Sequence, residues 1–125
     1  MATLPSQKVL IVDDDNRNVF ALKAVLKSKG FDCLTAGSAQ EGMNHLFNQK
    51  DIGVVLLDMM MPDMDGYEAI GEIRRSSSKD IPIISVTAQA MTGDRQKCIE
   101  AGADAYIPKP IDVDQLIILL HRYLK

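Results

Sequence analysis

The chain has 125 residues, 46% hydrophobic and 25% charged, with a formal net charge of -3. That is one domain's worth of sequence, 1–125, with enough apolar content for a sizeable core, and its acidic balance excludes a domain-wide basic footprint for nucleic acid. The apolar runs are too short for a membrane span, residues 1–8 lack the apolar stretch of a secretory signal, and Cys33 and Cys98 stand far apart without a C-x-x-C, so a reduced cytoplasmic protein is expected.

In chain order, a rhythm repeats: a short apolar run, turn residues, then a segment of helical period. The first run is K-V-L-I-V, 8–12, followed by Asp13, Asp14 and Asp15. A helix then aligns Val19, Leu22, Val25 and Leu26 and stops at Gly30, a residue suited to the left-handed position after a helix. The second run is 32–36, and Ser38-Ala39-Gln40-Glu41 after it reads as a capping box opening a helix with Ala39, Gly42, Met43 and Leu46 inward. The third run, 54–57, ends on Asp58 and leads to a helix from about Tyr67 with Ala69, Ile70 and Ile73 inward. The fourth run is 83–87. Its helix, near 92–101, has little beyond Cys98, Ile99 and Ala101 to bury, and ends at Gly102. The fifth run is 105–108. The last helix opens at Asp112 with Gln115 at its third position, and buries Val113, Leu116, Ile117, Leu120 and Leu124.

Five such alternations predict an α/β domain with a parallel sheet. Runs such as V-V-L-L suit strands covered on both faces, and ligands of such sheets bind beyond the carboxyl ends of the strands. The residues at those ends form a set: Asp13 and Asp14 after the first run, Asp58 after the third, Thr87 closing the fourth, Lys109 after the fifth. Carboxylates ~4 Å apart repel by about 4 kcal/mol per pair at an effective dielectric of ~20. Protonation or a bound cation relieves this. An oxygen-rich set with open positions suits Mg²⁺, which keeps waters and accepts phosphate oxygens. Together with an ammonium and a hydroxyl, this chemistry stabilises charge developing on a phosphoryl group, with Asp58 as nucleophile.

These residues resemble the receiver domain of response regulators in two-component signalling. The likeness runs from K-V-L-I-V-D-D-D-N-R-N through L-L-D-M-M-M-P-D-M-D-G and S-V-T-A-Q-A to A-G-A-D-A-Y-I-P-K-P-I. It is chemotaxis-regulator-like in pattern, and M-T-G-D-R-Q-K-C-I-E-A-G-A is similar to receivers of hybrid histidine kinases in particular. The resemblance implies a doubly wound, flavodoxin-like five-stranded sheet in the order 2-1-3-4-5, with five helices on both faces. It implies Asp58 as phosphoacceptor (an aspartyl phosphate), Asp14 in direct contact with Mg²⁺ (or Mn²⁺), Asp13 acting largely through water, and the backbone carbonyl of Met60 as a further ligand. It implies Thr87 as the switch hydroxyl on the phosphoryl group, Lys109 as its cationic partner with a cis peptide to Pro110, Tyr106 as the aromatic that turns inward on activation, and the small Ala88 as access to the site. The implied partner is a sensor histidine kinase or a histidine phosphotransfer protein, with slow autodephosphorylation and no enzymatic output.

Plainer readings compete at several positions. Asp15 is expected to cap a helix. Met59, Met60 and Met61 are expected to pack around the site, Cys33 and Cys98 to be buried, and His45 and His121 to lie at surface or boundary positions. Asp63, Asp65, Gly66 and Glu72 fit part of a calcium loop, but its first position would be Met61, which has no carboxylate. An aspartyl-phosphate phosphatase of the haloacid dehalogenase kind uses a similar set but needs an acid at the position of Met60, and a scaffold independent of phosphorylation would not need the intact set. Nothing follows Lys125, so no output domain is expected on this chain, which is either a single-domain regulator or an excised piece of a hybrid kinase. Ile118 and Leu119, off the core stripe of the last helix, predict a partner or dimer surface with Tyr106 on the fourth helix, fifth strand and fifth helix.

Overall fold

The structure, a computed structural model, describes residues 7–76, 78–87 and 94–124. Strands β1 (Lys8–Val12), β2 (Asp32–Ala36), β3 (Ile52–Asp58), β4 (Ile83–Thr87) and β5 (Ala105–Pro108) alternate with helices α1 (Asn16–Ser28), α2 (Ala39–Asn48), α3 (Gly66–Arg74), α4 (Asp94–Ala101) and α5 (Val113–Tyr123). All strands pair in parallel, in the order β2-β1-β3-β4-β5.

The topology follows from the alternation. A β-α-β crossover is right-handed, so a chain that steps outward from β1 to β2 and then returns past β1 to β3 must place its helices on opposite faces. The core is accordingly double. Leu10, Val12, Val55, Leu57 and Ile83 meet α2, α3 and Cys98 of α4 on one face. Val9, Ile11, Val54, Leu56, Ile84, Val86 and Ile107 meet Leu26 of α1 and Leu116 and Leu120 of α5 on the other. Every residue of β3 is buried, as expected of a central strand covered twice.

Local signals end the elements. At the end of α1 the Gly30 N–H donates to Lys27 O (3.0 Å) and the Phe31 N–H to Leu26 O (2.9 Å), a Schellman turn that Gly30 accommodates with φ +94°. Ser38 accepts the Glu41 N–H (3.1 Å) at the start of α2, while Glu41 reaches back to the Gly37 N–H (3.0 Å) rather than to that of Ser38. Asp15, Asp65 and Asp112 cap α1, α3 and α5.

Four expectations need correction. Strand β3 is longer than 54–57 because it pairs β1 from Ile52 and β4 to Asp58, so Asp58 is its last paired residue. Ile99 is 40% exposed, because α4 turns Cys98 alone of its described side chains fully into the core. Met60 is 62% exposed while Met59 and Met61 are buried, since the chain after β3 directs successive residues to opposite sides. Leu119 packs, half-buried, against the α1/α5 core, which leaves Ile118 at 62% exposed as the apolar outlier of α5. Ala88 and the expected start of the fourth helix at residue 92 lie outside the described residues.

Candidate functional site

The topological switch point falls between β1 and β3, where consecutive crossovers part to opposite faces and leave a crevice at the carboxyl ends of the strands. Backbone hydrogen bonds carry the sheet slightly past the strand ends there. The Asp13 N–H donates to Ala36 O (3.0 Å), the Met59 N–H to Val86 O (3.0 Å) and the Lys109 N–H to Thr87 O (2.8 Å). The residues bearing the chemistry are thus held by the sheet ladder and not by free loops. The Lys109–Pro110 peptide is cis.

Asp13 and Asp58 are held alike. Each accepts at Oδ1 the N–H of the residue two further on, Asp13 from Asp15 (2.9 Å) and Asp58 from Met60 (3.1 Å). Each then presents Oδ2 to Lys109 Nζ, at 3.6 Å in both cases. Both carboxylates are buried, at 8% and 5% exposure, whereas Asp14 is exposed. One carboxylate oxygen from each of Asp13, Asp14 and Asp58 can be chosen so that all lie within 4.8 Å of one another. One ammonium shared between two buried carboxylates, with a third acid beside them, leaves excess negative charge. Burial pushes the Asp58 carboxyl above its ordinary value. The Met60 N–H and the Lys109 charge oppose that shift, and neighbouring Asp13 reinforces it.

This donor set fits a hard divalent cation. It is all oxygen, close-spaced, net negative and open on the side of exposed Asp14, which matches the preference of Mg²⁺ for a few carboxylates plus water or phosphate oxygens. Thr87, the last residue of β4, is 6% exposed, and its carbonyl accepts the Lys109 N–H at this end of the sheet. Tyr106 lies two residue pairs further in, opposite Ser85, and packs half-buried against the α2–α4 core. A cleft of about 480 Å³ opens beside the acids, between α1 and the turn into α5. Asp13 and Lys109 form its polar edge, and Leu22, Val25, Pro110 and Val113 part of its apolar wall; Asp14 and Asp58 do not line it.

The remaining candidates have structural employment. Asp63 and Asp65 are hydrogen-bonded to the first turns of α2 and α3, which removes the calcium-loop reading. Burial pushes the Cys33 thiol up to about 11, so it is no thiolate nucleophile, and Cys98 is buried. His45 is half-buried and His121 exposed. Sequence reasoning missed two features: the hydroxyl of Ser85, fully buried with no hydrogen-bond partner, and the link from Asp63 to α2, which spans 24 residues of sequence and has no local signature.

Known proteins bear on this geometry. The family model described as "Response regulator receiver domain" matches residues 9–121. A "Hybrid signal transduction histidine kinase I" of Dictyostelium discoideum is 37% identical over 113 residues, 85% of this chain and 6% of the relative. A "Probable transcriptional regulator ycf27" of Guillardia theta is 43% identical over 110 residues, 88% of this chain and 42% of the relative. The chain thus spans less than half the length of either. The crystal structure of a response regulator receiver protein from Pseudomonas putida superposes with a TM-score of 0.88 at 31% identity, covering 98% of this chain and 99% of that one. With the matched sequence, the 2-1-3-4-5 sheet and the acid cluster at its switch point in agreement, the chain belongs to the response regulator receiver domain family of two-component signalling.

Proposed function

We propose that the chain is a single phosphoacceptor module whose Asp58 takes a phosphoryl group from a phosphohistidine on a sensor histidine kinase or a histidine phosphotransfer protein. The observation that carries this reading is the matched pose of Asp13 and Asp58, each tethered through Oδ1 and each offering Oδ2 to Lys109 at 3.6 Å. Asp58 supplies the nucleophilic oxygen. As its bond to phosphorus forms, the phosphorus–nitrogen bond of the donor breaks, and the imidazole, carrying a proton on its other ring nitrogen, leaves neutral. Lys109 and the Thr87 hydroxyl face the charge on the transferred group. Asp13, Asp14, Asp58 and the Met60 carbonyl would hold Mg²⁺ (or Mn²⁺), which when bound neutralises the acids and the phosphoryl oxygens. Attack of water on phosphorus then slowly returns the Asp58 carboxylate and inorganic phosphate.

The module is not an enzyme acting on outside substrates. A phosphatase of the same nucleophile class needs an acid at the position of Met60, whose thioether transfers no proton. Output passes through Thr87 and Tyr106 to the face formed by α4, β5 and α5. Support comes from the exposure of Ile118 (62%) and Ile99 (40%), and from α4, which anchors itself by Cys98 alone among its described, fully buried side chains. The decisive experiment is incubation with a small acyl phosphate and Mg²⁺, followed by intact-protein mass spectrometry. One phosphoryl group is added to the parent and none to Asp58→Asn; equal labelling of both would remove Asp58 from the role.

A further inference from the structure

The chain between β3 and α3, 59–65, begins at the acid cluster and is tied down at unusual points. Met59 is held to β4 through its N–H on Val86 O (3.0 Å), and the Gly66 N–H returns to Met59 O (3.1 Å). The two strands of this loop cross so closely that a Cβ on Gly66 would lie 2.7 Å from Met59 Cα. Those contacts fix the loop's base. Its middle includes Met60, whose N–H holds Asp58 Oδ1, and Met60 itself is largely exposed.

What holds the middle is Asp63. Its Oδ1 accepts the Ala39 N–H (3.3 Å) and its Oδ2 the Gln40 N–H (3.2 Å), across 24 and 23 residues of sequence. These are the first two N–H groups of α2, which have no intrahelical acceptor. Ser38 takes the third, from Glu41, so the two acids and the hydroxyl divide the work without overlap. A carboxylate on two N–H groups at a helix N-terminus is charge-assisted and aligned with the helix dipole. Between this anchor and Met61, Pro62 fixes the backbone torsion. Displacing Asp63 therefore displaces the Met60 peptide.

We infer that Asp63 is a positioning residue for the acid cluster: by pinning loop 59–65 to the N-terminus of α2, it keeps the Met60 peptide against Asp58. Its consequence for the cation rests on the ligand set proposed above; its consequence for the Met60 N–H does not.

The test separates loop positioning from plain helix capping. Ser38→Ala removes a cap bond from the same end of α2 without touching the loop, and is the control. In metal-free protein, Asp63→Ala speeds solvent exchange of the Met60 amide about tenfold, and Ser38→Ala leaves it unchanged. In a Mn²⁺ titration followed by paramagnetic relaxation of water, Asp63→Ala weakens binding about tenfold, the low end for loss of a group that orients a ligand. Asp63→Asn, which keeps one acceptor and loses the charge, falls between. Met60 exchange unchanged in Asp63→Ala, or raised equally by Ser38→Ala, overturns the inference. Asp14→Ala reports separately on the metal site: parent-like Mn²⁺ binding in that variant would refute the ligand set, while the metal-free exchange still decides the role of Asp63.

Discussion

The carboxyl ends of β1 and β3 and the N-termini of the helices are both rich in aspartate, and they treat it in opposite ways. At the helix starts each acid faces donors: Asp15, Asp65 and Asp112 cap their own helices, and Asp63 caps α2 from a distance. The charge there is met by N–H groups and the helix dipole. At the strand ends Asp13, Asp14 and Asp58 face one another, with Lys109 as the cation bridging two of them among the described residues. Residue type does not separate the two groups; what the fold sets opposite each carboxylate does. Acids that cap are satisfied, and acids that converge remain in demand of positive charge, which is the demand that the proposed cation would meet.

Removing one acid from each group shows the contrast most strongly in metal binding. Asp14→Ala weakens Mg²⁺ by about a hundredfold, or ~2.8 kcal/mol, through loss of a directly coordinating oxygen and a unit of charge. Asp65→Ala leaves binding unchanged in the same calorimetric titration. Parent-like affinity in Asp14→Ala would erase the distinction between the groups.

The same contrast appears in metal-free stability, with an opposite sign for the strand-end acid. Burial raises the Asp58 carboxyl above its ordinary 3.8, so the native state binds that proton more tightly than the unfolded chain. As pH rises from the ordinary value through the raised one, the native state holds the proton longer, and stability falls. The cost is complete above the raised value. Asp58→Asn keeps an acceptor for the Met60 N–H and sheds this cost. The substitution stabilises metal-free protein at neutral pH. The gain shrinks as pH falls towards 4, which urea unfolding at several pH values will show. Asp65→Ala does the reverse, destabilising by about 1 kcal/mol through loss of a cap. The smallest effect belongs to the exposed face. Ile118→Glu changes stability by no more than ~0.5 kcal/mol and leaves Asp58 labelling intact, but abolishes phosphorylation-dependent association measured by light scattering. Unchanged association would take this face out of the output.

Much of this was readable along the chain. Runs 8–12, 32–36, 83–87 and 105–108 are the observed strands to the residue, because a buried parallel strand needs contiguous apolar residues and its turns need polar ones. Asp15, Ser38 and Asp112 announce their helices, because a cap acts within three residues of itself. Relations across elements were not readable. The ends of β3 depend on partners in β1 and β4. Leu119 looked free on the wheel of α5 because helical period says nothing about how widely a neighbouring core reaches around a helix. The role of Asp63 at the start of α2 was not readable, because the N–H groups it accepts lie 24 and 23 residues away.

The sequence by itself determined the alternation of elements, the chemistry at each strand end and thereby the family, since apolar runs, caps and a fixed order of acid, hydroxyl and lysine are local properties of the chain. The tertiary structure alone decided that Asp13 and Asp58 would share one lysine at 3.6 Å, that both would be buried, and that Asp63 would satisfy a helix instead of an ion. The physical reason is that charge and hydrogen bonding act through space over a few ångströms, and only the folded sheet sets residues 13, 58 and 109 at that range.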